Sequence, residues 1–258
     1  MEKFTRSQDR LKIYYKSSDI KSTAIVFIHG WLGNAEWWND QLEYFKDKYT
    51  VVQIDLPGHG KSEKGRVNWS STLYANDIKN VVEKIDCKNV ILVGHSMSGA
   101  YVLEASLIIK NVKIIILVDT LKNMDKLMDY EQANELLFNS YRNDFTNAVK
   151  HFLPKFLFSE RTSTEIKQRL ESEFLKNDAD FAVKSIEPLY KMNIRAIAQQ
   201  VQIPVRAINA DYTPTDVNSI RKYMKDFNYV TISNTGHYPM LEKPNDFNFA
   251  LNNIIQNI

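Results

Sequence analysis

Short apolar runs rich in β-branched residues recur along the chain and predict buried strands. These runs are residues 24–28, 50–54, 90–93, 114–118, 205–208 and 229–232. A further stretch, residues 11–15, alternates apolar and polar side chains, and we expect it to add an edge strand.

Segments with helical spacing separate the first four of these runs, at residues 36–45, 72–85 and 99–109. Regular alternation of strand and helix is typical of a mainly parallel sheet with helices on both faces. We therefore predict the α/β class, and a chain of 258 residues is commonly one domain at this size.

The alternation stops between about residues 121 and 202, where the sequence becomes helix-like, charged and rich in aromatic residues and leucine. Strand signals resume directly afterwards, so the chain leaves the sheet after one strand and later returns to it. We predict a helical cap inserted at about 121–202 of a single domain, residues 1–258. Such insertions commonly select substrates, although a purely structural subdomain fits the same pattern.

Charge and hydropathy exclude several classes of function. Lys and Arg total 33 against 31 Asp and Glu, and no block of like charge suggests a nucleic-acid partner. The first fifteen residues carry scattered charges and lack the apolar core of a signal peptide. The longest apolar run, residues 112–118, contains a lysine and is much shorter than a membrane span. We expect a cytoplasmic protein without a membrane or nucleic-acid partner.

A candidate nucleophile, Ser96, follows an apolar strand and precedes a helical pattern in the string NVILVGHSMSGAYVLEA. A serine on a tight strand-to-helix turn stands clear of the sheet beside a helix N-terminus, where a developing oxyanion is favoured. Gly94 supplies one of the small flanking residues, but Ser98 stands where the usual G-x-S-x-G pattern has glycine. A simple helix cap is the competing interpretation of Ser96.

A serine nucleophile needs a base, usually a histidine, that a third group orients. His237 lies in a polar loop after the last predicted strand and is our candidate base. The acid is expected between serine and histidine at a strand end, where three aspartates qualify. We favour Asp211, which follows the strand at 205–208; Asp216, which resembles a helix cap, and Asp119, which ends the strand before the cap, are the alternatives.

Two backbone N–H groups are expected to bind the oxyanion. One is that of Met97, directly after the nucleophile; the other is that of Trp31 in a glycine-containing loop, with Leu32 as the alternative. Neighbouring side chains are candidates for a substrate pocket, although aromatic residues at such spacing are more often core. The pocket candidates are His29, Gly30, Trp37, Trp38 and His95.

Five strings occur in the order found in the α/β-hydrolase superfamily, which the chain resembles along nearly its whole length. They are HGW, DLPGHGKS, GHSMSG, INADYTP and GHYPMLEKP. The resemblance implies a carboxylesterase-like serine hydrolase with a triad of Ser96, Asp211 and His237. A serine nucleophile argues against the haloalkane dehalogenase and epoxide hydrolase relatives, which use aspartate there.

One loop, HGWLGNAEWW, is similar to that of the carboxylesterases that demethylate pimeloyl thioesters in biotin synthesis. Those enzymes carry tryptophan before the nucleophile where this chain has His95, so their substrate is not assigned.

The leading hypothesis is hydrolysis of a small or medium acyl ester through an acyl-serine intermediate. A thioesterase, a lactonase and a carbon–carbon bond hydrolase use the same triad, and they stay open. A catalytically silent binding module and an interaction protein working through its cap are rivals from other classes. We expect a small-molecule acyl substrate and no metal or cofactor, because no ligand cluster or nucleotide-binding loop is present; the oligomeric state stays open.

Overall fold

The computed structural model describes residues 1–257 and contains one eight-stranded sheet. In chain order the strands are β1 Glu2–Arg6, β2 Lys12–Ser17, β3 Thr23–Ile28, β4 Thr50–Ile54, β5 Asn89–His95, β6 Val112–Val118, β7 Val205–Ala210 and β8 Phe227–Ile232. Across the sheet they follow the order β1-β2-β4-β3-β5-β6-β7-β8. Strand β2 pairs antiparallel with β1 and β4, and all pairs from β3 to β8 are parallel. The predicted mainly parallel sheet is confirmed.

The edge of the sheet differs from the prediction. The alternating stretch forms β2, which lies second in the sheet, and β1 is the edge strand beside it. Hydropathy gave no sign of β1 because four of its five residues are at least partly exposed. Such a strand buries too little apolar surface to leave a pattern in the sequence.

Thirteen α-helices lie among residues 1–257: α1 Asn39–Phe45, α2 Ser71–Ile85, α3 Met97–Ser106, α4 Tyr130–Ala133, α5 Asn139–Asn143, α6 Phe145–Asn147, α7 Pro154–Leu157, α8 Thr164–Phe174, α9 Ala179–Lys191, α10 Ile194–Gln200, α11 Val217–Arg221, α12 Pro239–Glu242 and α13 Pro244–Gln256. A 3₁₀ turn, Ala35–Trp38, precedes α1, and π-helical turns occur at Asn134–Phe138 and Ala148–Phe152. Helix α2 contacts α3, and α1 contacts α13. Every residue of β4 is buried, and successive strand residues point to opposite faces, so the sheet is covered on both faces. No helix in this part of the chain is long and apolar enough to span a membrane.

The segment between β6 and β7 contains only helices, α4 to α10. It packs on the loop after β3, where the Trp31 ring stacks on Tyr141 with 5.1 Å between centroids. The indole N–H of Trp31 also donates to the backbone carbonyl of Ala182 in α9, at 2.8 Å. These contacts fit the predicted cap, whose division from the rest of the domain stays a prediction.

The carboxyl ends of the parallel strands meet at one edge of the sheet, which is where α/β proteins commonly carry their sites. His29 follows β3 at this edge, Ser96 follows β5 and Asp119 follows β6.

Candidate active site

Ser96 occupies a strained turn between β5 and α3. Its backbone has φ 54° and ψ −121°, a conformation that a residue with a side chain rarely adopts. The turn is held by two backbone bonds: the Ser96 N–H donates to Val118, and the Gly99 N–H donates to the Ser96 carbonyl. The Ser96 hydroxyl does not cap α3, so the helix-cap interpretation of this residue is wrong.

The residues flanking the turn explain why a serine at position 98 is tolerated. A Cβ on Gly94 would lie 2.5 Å from the carbonyl oxygen of Ser98, so only glycine fits at position 94. The Ser98 side chain is fully buried, and its hydroxyl donates to the backbone carbonyl of His29. Ser98 therefore joins the nucleophile turn to the loop after β3.

Three side chains form a continuous hydrogen-bonded chain at the strand ends. The Nε2 atom of His237 lies 2.8 Å from the Ser96 hydroxyl, and its Nδ1 atom lies 2.7 Å from Oδ2 of Asp119. The side chain of His237 is 14% exposed, whereas that of Asp119 is 1% exposed. The structure thus brings the predicted nucleophile and base together, but with one of the alternative acids.

The preference for Asp211 as the acid is wrong. Asp211 is exposed, and both of its carboxylate oxygens accept the backbone N–H of Asn234 at 2.9 Å. Asp216 caps α11 by accepting the N–H of Ser219 at 3.0 Å, as its sequence context suggested. Chain order cannot separate these candidates, but their contacts do: Asp119 bonds to His237, whereas Asp211 and Asp216 bond to backbone N–H groups elsewhere.

Several donors surround the Asp119 carboxylate. Its Oδ1 atom accepts the backbone N–H of Ala210 at 2.8 Å and pairs with the Lys122 ammonium at 2.6 Å. The Tyr212 hydroxyl donates to Oδ2 at 3.2 Å. Burial alone would raise the pKa of Asp119, but the bond to His237 and the Lys122 charge outweigh it and lower the pKa to about 2. The carboxylate is therefore ionised at neutral pH.

Lys122 and Tyr212 are not among the site residues predicted from the sequence. Lys122 follows the acid by three residues, and Tyr212 lies next to the wrongly favoured Asp211, so either could have been found only once Asp119 was chosen. Burial and the nearby Asp119 charge raise the pKa of Tyr212, which keeps its hydroxyl protonated as a donor.

The predicted oxyanion donors lie beside the nucleophile. Met97 is the first residue of α3, and its N–H lies at the positive end of the helix. A Cβ on Gly30 would be 3.1 Å from the Cβ of Ser96, so the loop carrying Trp31 approaches the nucleophile closely. Among residues 1–257, neither the Met97 nor the Trp31 amide donates to a backbone carbonyl in a turn, loop or cap. Both N–H groups are thus candidates to bind an oxyanion, with Leu32 as the alternative to Trp31.

Most pocket candidates are core residues instead. Trp37 and Trp38 are 1% and 0% exposed, and the Trp37 ring packs edge-on against Tyr238 at 5.4 Å. His29 is also fully buried: its Nδ1 pairs with the Gly30 carbonyl, and its Nε2 accepts the Leu56 N–H at 3.1 Å. Burial lowers the pKa of His29 to about 4, so it is neutral. These side chains hold the loops rather than line a pocket.

His95 is likewise buried, and it supports the base. Its Nε2–H donates to the backbone carbonyl of His237 at 2.8 Å. Burial, and then the charge of His237, lower the pKa of His95 to about 3, so the ring is neutral. From the other side, the N–H of His237 donates at 2.8 Å to the carbonyl of Leu157 in the helical segment. Both backbone polar groups of the base are therefore held in place.

Glu242 ties the same loop to the helical segment. Its carboxylate accepts the N–H of Gly236 at 2.9 Å and the hydroxyl of Thr162 at 2.7 Å. The sequence offered only the string PMLEKP as a signal for this residue. The base is consequently positioned by groups from the nucleophile turn, its own loop and the helical segment together.

The arrangement has the parts required for acyl transfer: a hydroxyl on a base, an ionised acid behind the base and free amides beside the nucleophile. Over the described residues, no three His, Cys, Asp or Glu side chains come close enough together to hold a metal ion.

Comparison with known sequences identifies relatives along most of the chain. A model of the alpha/beta hydrolase family matches residues 25–250. A pimeloyl-[acyl-carrier protein] methyl ester esterase from Wigglesworthia glossinidia brevipalpis is 27% identical over 241 residues, which cover 86% of this chain and 90% of that protein.

Solved structures share the fold. An esterase from Exiguobacterium antarcticum superposes with a TM-score of 0.86 at 19% identity, covering 99% of this chain and all of that one. An enol-lactonase from Burkholderia xenovorans gives a TM-score of 0.84 at 15% identity, covering 98% of this chain and all of the other.

Proposed function

Because this chain belongs to the α/β-hydrolase family and is a hydrolase, we propose that it cleaves a small or medium acyl ester through an acyl intermediate on Ser96. The observation that carries the proposal is the hydrogen-bonded series from Ser96 through His237 to Asp119, at 2.8 and 2.7 Å. Such a series is the arrangement that activates a serine hydroxyl.

In the first half of the reaction His237 takes the proton of the Ser96 hydroxyl as Oγ bonds to the ester carbonyl carbon. The carbonyl oxygen becomes an oxyanion that accepts the N–H groups of Trp31 and Met97. Asp119 holds the Nδ1–H of His237 and offsets the charge of the imidazolium. The intermediate collapses, His237 gives its proton to the leaving oxygen, and the alcohol departs.

In the second half a water molecule enters the place of the alcohol. His237 takes one proton from it, and the hydroxide oxygen bonds to the acyl carbon. When the bond to Ser96 breaks, the same proton returns to Oγ and the carboxylic acid is released. His237 must be neutral at the start of each half, so the activity is expected to fall at acidic pH.

An ester substrate is supported by the methyl ester esterase among the relatives. The same series of side chains would serve a thioester, a lactone or a carbon–carbon bond next to a carbonyl, and these alternatives belong in the substrate panel.

The first test is intact-mass labelling with a fluorophosphonate, which reacts with activated serines. Wild type is expected to gain one adduct, and Ser96→Ala none. Ser106→Ala is the matched control, because that serine lies at the other end of α3 with its hydroxyl bonded to the Leu103 carbonyl. Folded wild type that takes up no probe would favour the silent binding module.

The second test measures hydrolysis of p-nitrophenyl esters from acetyl to octanoyl beside thioester, lactone and β-diketone substrates. Esters are expected to give the highest kcat/KM, and a faster diketone or thioester would replace the proposed substrate class. Ser96→Ala, His237→Ala and the double variant should lose similar activity, because triad members act as a unit. Additive losses would contradict that assignment.

A further inference from the structure

A largely buried lysine lies against the acid of the site. The Lys122 side chain is 11% exposed, and its ammonium is 2.6 Å from Oδ1 of Asp119. It also donates to the Ala210 carbonyl and to the Thr213 hydroxyl, each at 2.9 Å, and lies 4.7 Å from the centre of the Tyr212 ring. These contacts come from the end of β7 and the loop after it, and they fix the ammonium at the carboxylate.

The two oxygens of Asp119 therefore face two different partners. Oδ2 accepts from His237, and Oδ1 accepts from Lys122 and from the Ala210 N–H. When His237 takes the Ser96 proton, an imidazolium forms on one side of a carboxylate that already pairs with an ammonium on the other. A triad needs no such ammonium for its proton transfers.

We propose that Lys122 is a positioning residue that acts through Asp119 and sets the pH below which His237 stops working as a base. The proposal rests on the proposed function of the triad. The physical reason is that a fixed cation disfavours a second cation nearby, so Lys122 opposes protonation of His237. The site then keeps a neutral base at a lower pH than it would without the lysine.

Other titratable groups face the same pair but do not supply this charge. His95 is neutral because burial lowers its pKa to about 3. The Tyr212 hydroxyl is a neutral donor to Asp119, and the Tyr238 hydroxyl stays protonated because burial raises its pKa. The Glu242 carboxylate is engaged with Gly236 N–H and the Thr162 hydroxyl. Lys122 is thus the cation that acts on the pair.

The experiment measures the second-order rate of fluorophosphonate labelling from about pH 5 to about pH 9 for the full chain. This readout needs the activated serine but no knowledge of the natural substrate. Lys122→Met keeps the length of the side chain and removes its charge. The midpoint of its labelling rate against pH is expected to rise by about one pH unit. At a pH below both midpoints, the labelling rate divided by the plateau rate should then be about tenfold lower for Lys122→Met than for wild type.

Two further variants make the result specific. Lys122→Arg retains the charge and is expected to restore the wild-type midpoint. Lys222→Met removes the same charge from an exposed pair with Asp125 and should leave the midpoint unchanged. If Lys122→Met loses plateau rate or thermal stability without moving the midpoint, the lysine only braces the loop after β7 and the proposal is wrong.

Wild type and Lys122→Met together separate the serine–histidine chemistry from the role of Lys122. Wild type that does not label, or whose labelling is flat with pH, overturns the serine–histidine chemistry itself. Wild type that labels with an acidic midpoint, together with a Lys122→Met midpoint equal to it, overturns only the role of Lys122.

Discussion

Replacing Asp119 with asparagine tests the acid of the site, and the structure predicts how the amide would orient. Lys122 and the Ala210 N–H both donate to Oδ1, so the amide oxygen is expected to stay on that side. The NH₂ group then faces Nδ1 of His237, 2.7 Å from the present Oδ2 position, and requires a lone pair there. The imidazole proton then lies on Nε2, so the Nε2 atom can no longer accept the Ser96 proton.

The expected loss follows from that wrong tautomer. Asparagine at the acid position of a Ser-His-Asp triad lowers kcat by about 10⁴, which corresponds to about 5.5 kcal/mol in the activation free energy. We therefore expect Asp119→Asn to lose about 10³- to 10⁴-fold in kcat on a p-nitrophenyl ester at about pH 8. The variant also leaves Lys122 without its buried anion, so its thermal unfolding must be measured to confirm that it is folded.

Asp211→Asn is the matched control, since it makes the same change in the same group of strand ends. An asparagine there can still accept the Asn234 N–H from its exposed position, so less than about a twofold change is expected. Asp119 is not the acid if the folded Asp119→Asn variant keeps more than about a tenth of wild-type kcat, or if Asp211→Asn lowers kcat more.

Two further predictions concern the nucleophile turn and the stability of the site. Gly94→Ala would put a Cβ 2.5 Å from the Ser98 carbonyl oxygen, so the turn must shift. We expect the free energy of unfolding, measured with urea, to fall by about 1–3 kcal/mol and fluorophosphonate labelling to slow at least about tenfold. Unchanged labelling would mean that the turn relaxes freely. The pKa of Asp119 is lowered from 3.8 to about 2, so its ionised form stabilises the fold above about pH 4, and this contribution of about 2 kcal/mol is lost as pH falls through about 2. Urea unfolding at about pH 6 and pH 3 should therefore show wild type losing about 1 kcal/mol more than Asp119→Asn, and equal losses would contradict the lowered pKa.

Asp119, the proposed acid, follows β6, while the end of β7 and the loop after it supply polar partners to Asp119 and Lys122. Ala210 contributes its N–H and carbonyl, Tyr212 its hydroxyl and Thr213 its side chain. The segment in which the sequence placed the acid thus supplies hydrogen-bond partners to Asp119 and Lys122 instead.

Features that depend on neighbouring residues in the chain were predictable from the sequence. The parallel strands follow from their apolar runs, because burial on both faces demands such runs. Ser96 could be identified because the turn that exposes it is built by adjacent residues, Gly94 on one side and α3 on the other. His237 could be identified because few histidines occur and only this one follows the last strand.

Features that depend on which strands become neighbours could be decided only by the tertiary structure. Asp119 and Asp211 both follow strands in the permitted part of the chain, and only the folded structure shows that Asp119 reaches His237 while Asp211 bonds to Asn234. Likewise, the sequence left Trp37, Trp38 and His95 as pocket candidates although aromatic residues there are more often core, and their burial decides for the core. Local sequence patterns determine turns, strands and helices. Contacts between residues far apart in the chain depend on how those elements pack in the folded sheet, which no local pattern records.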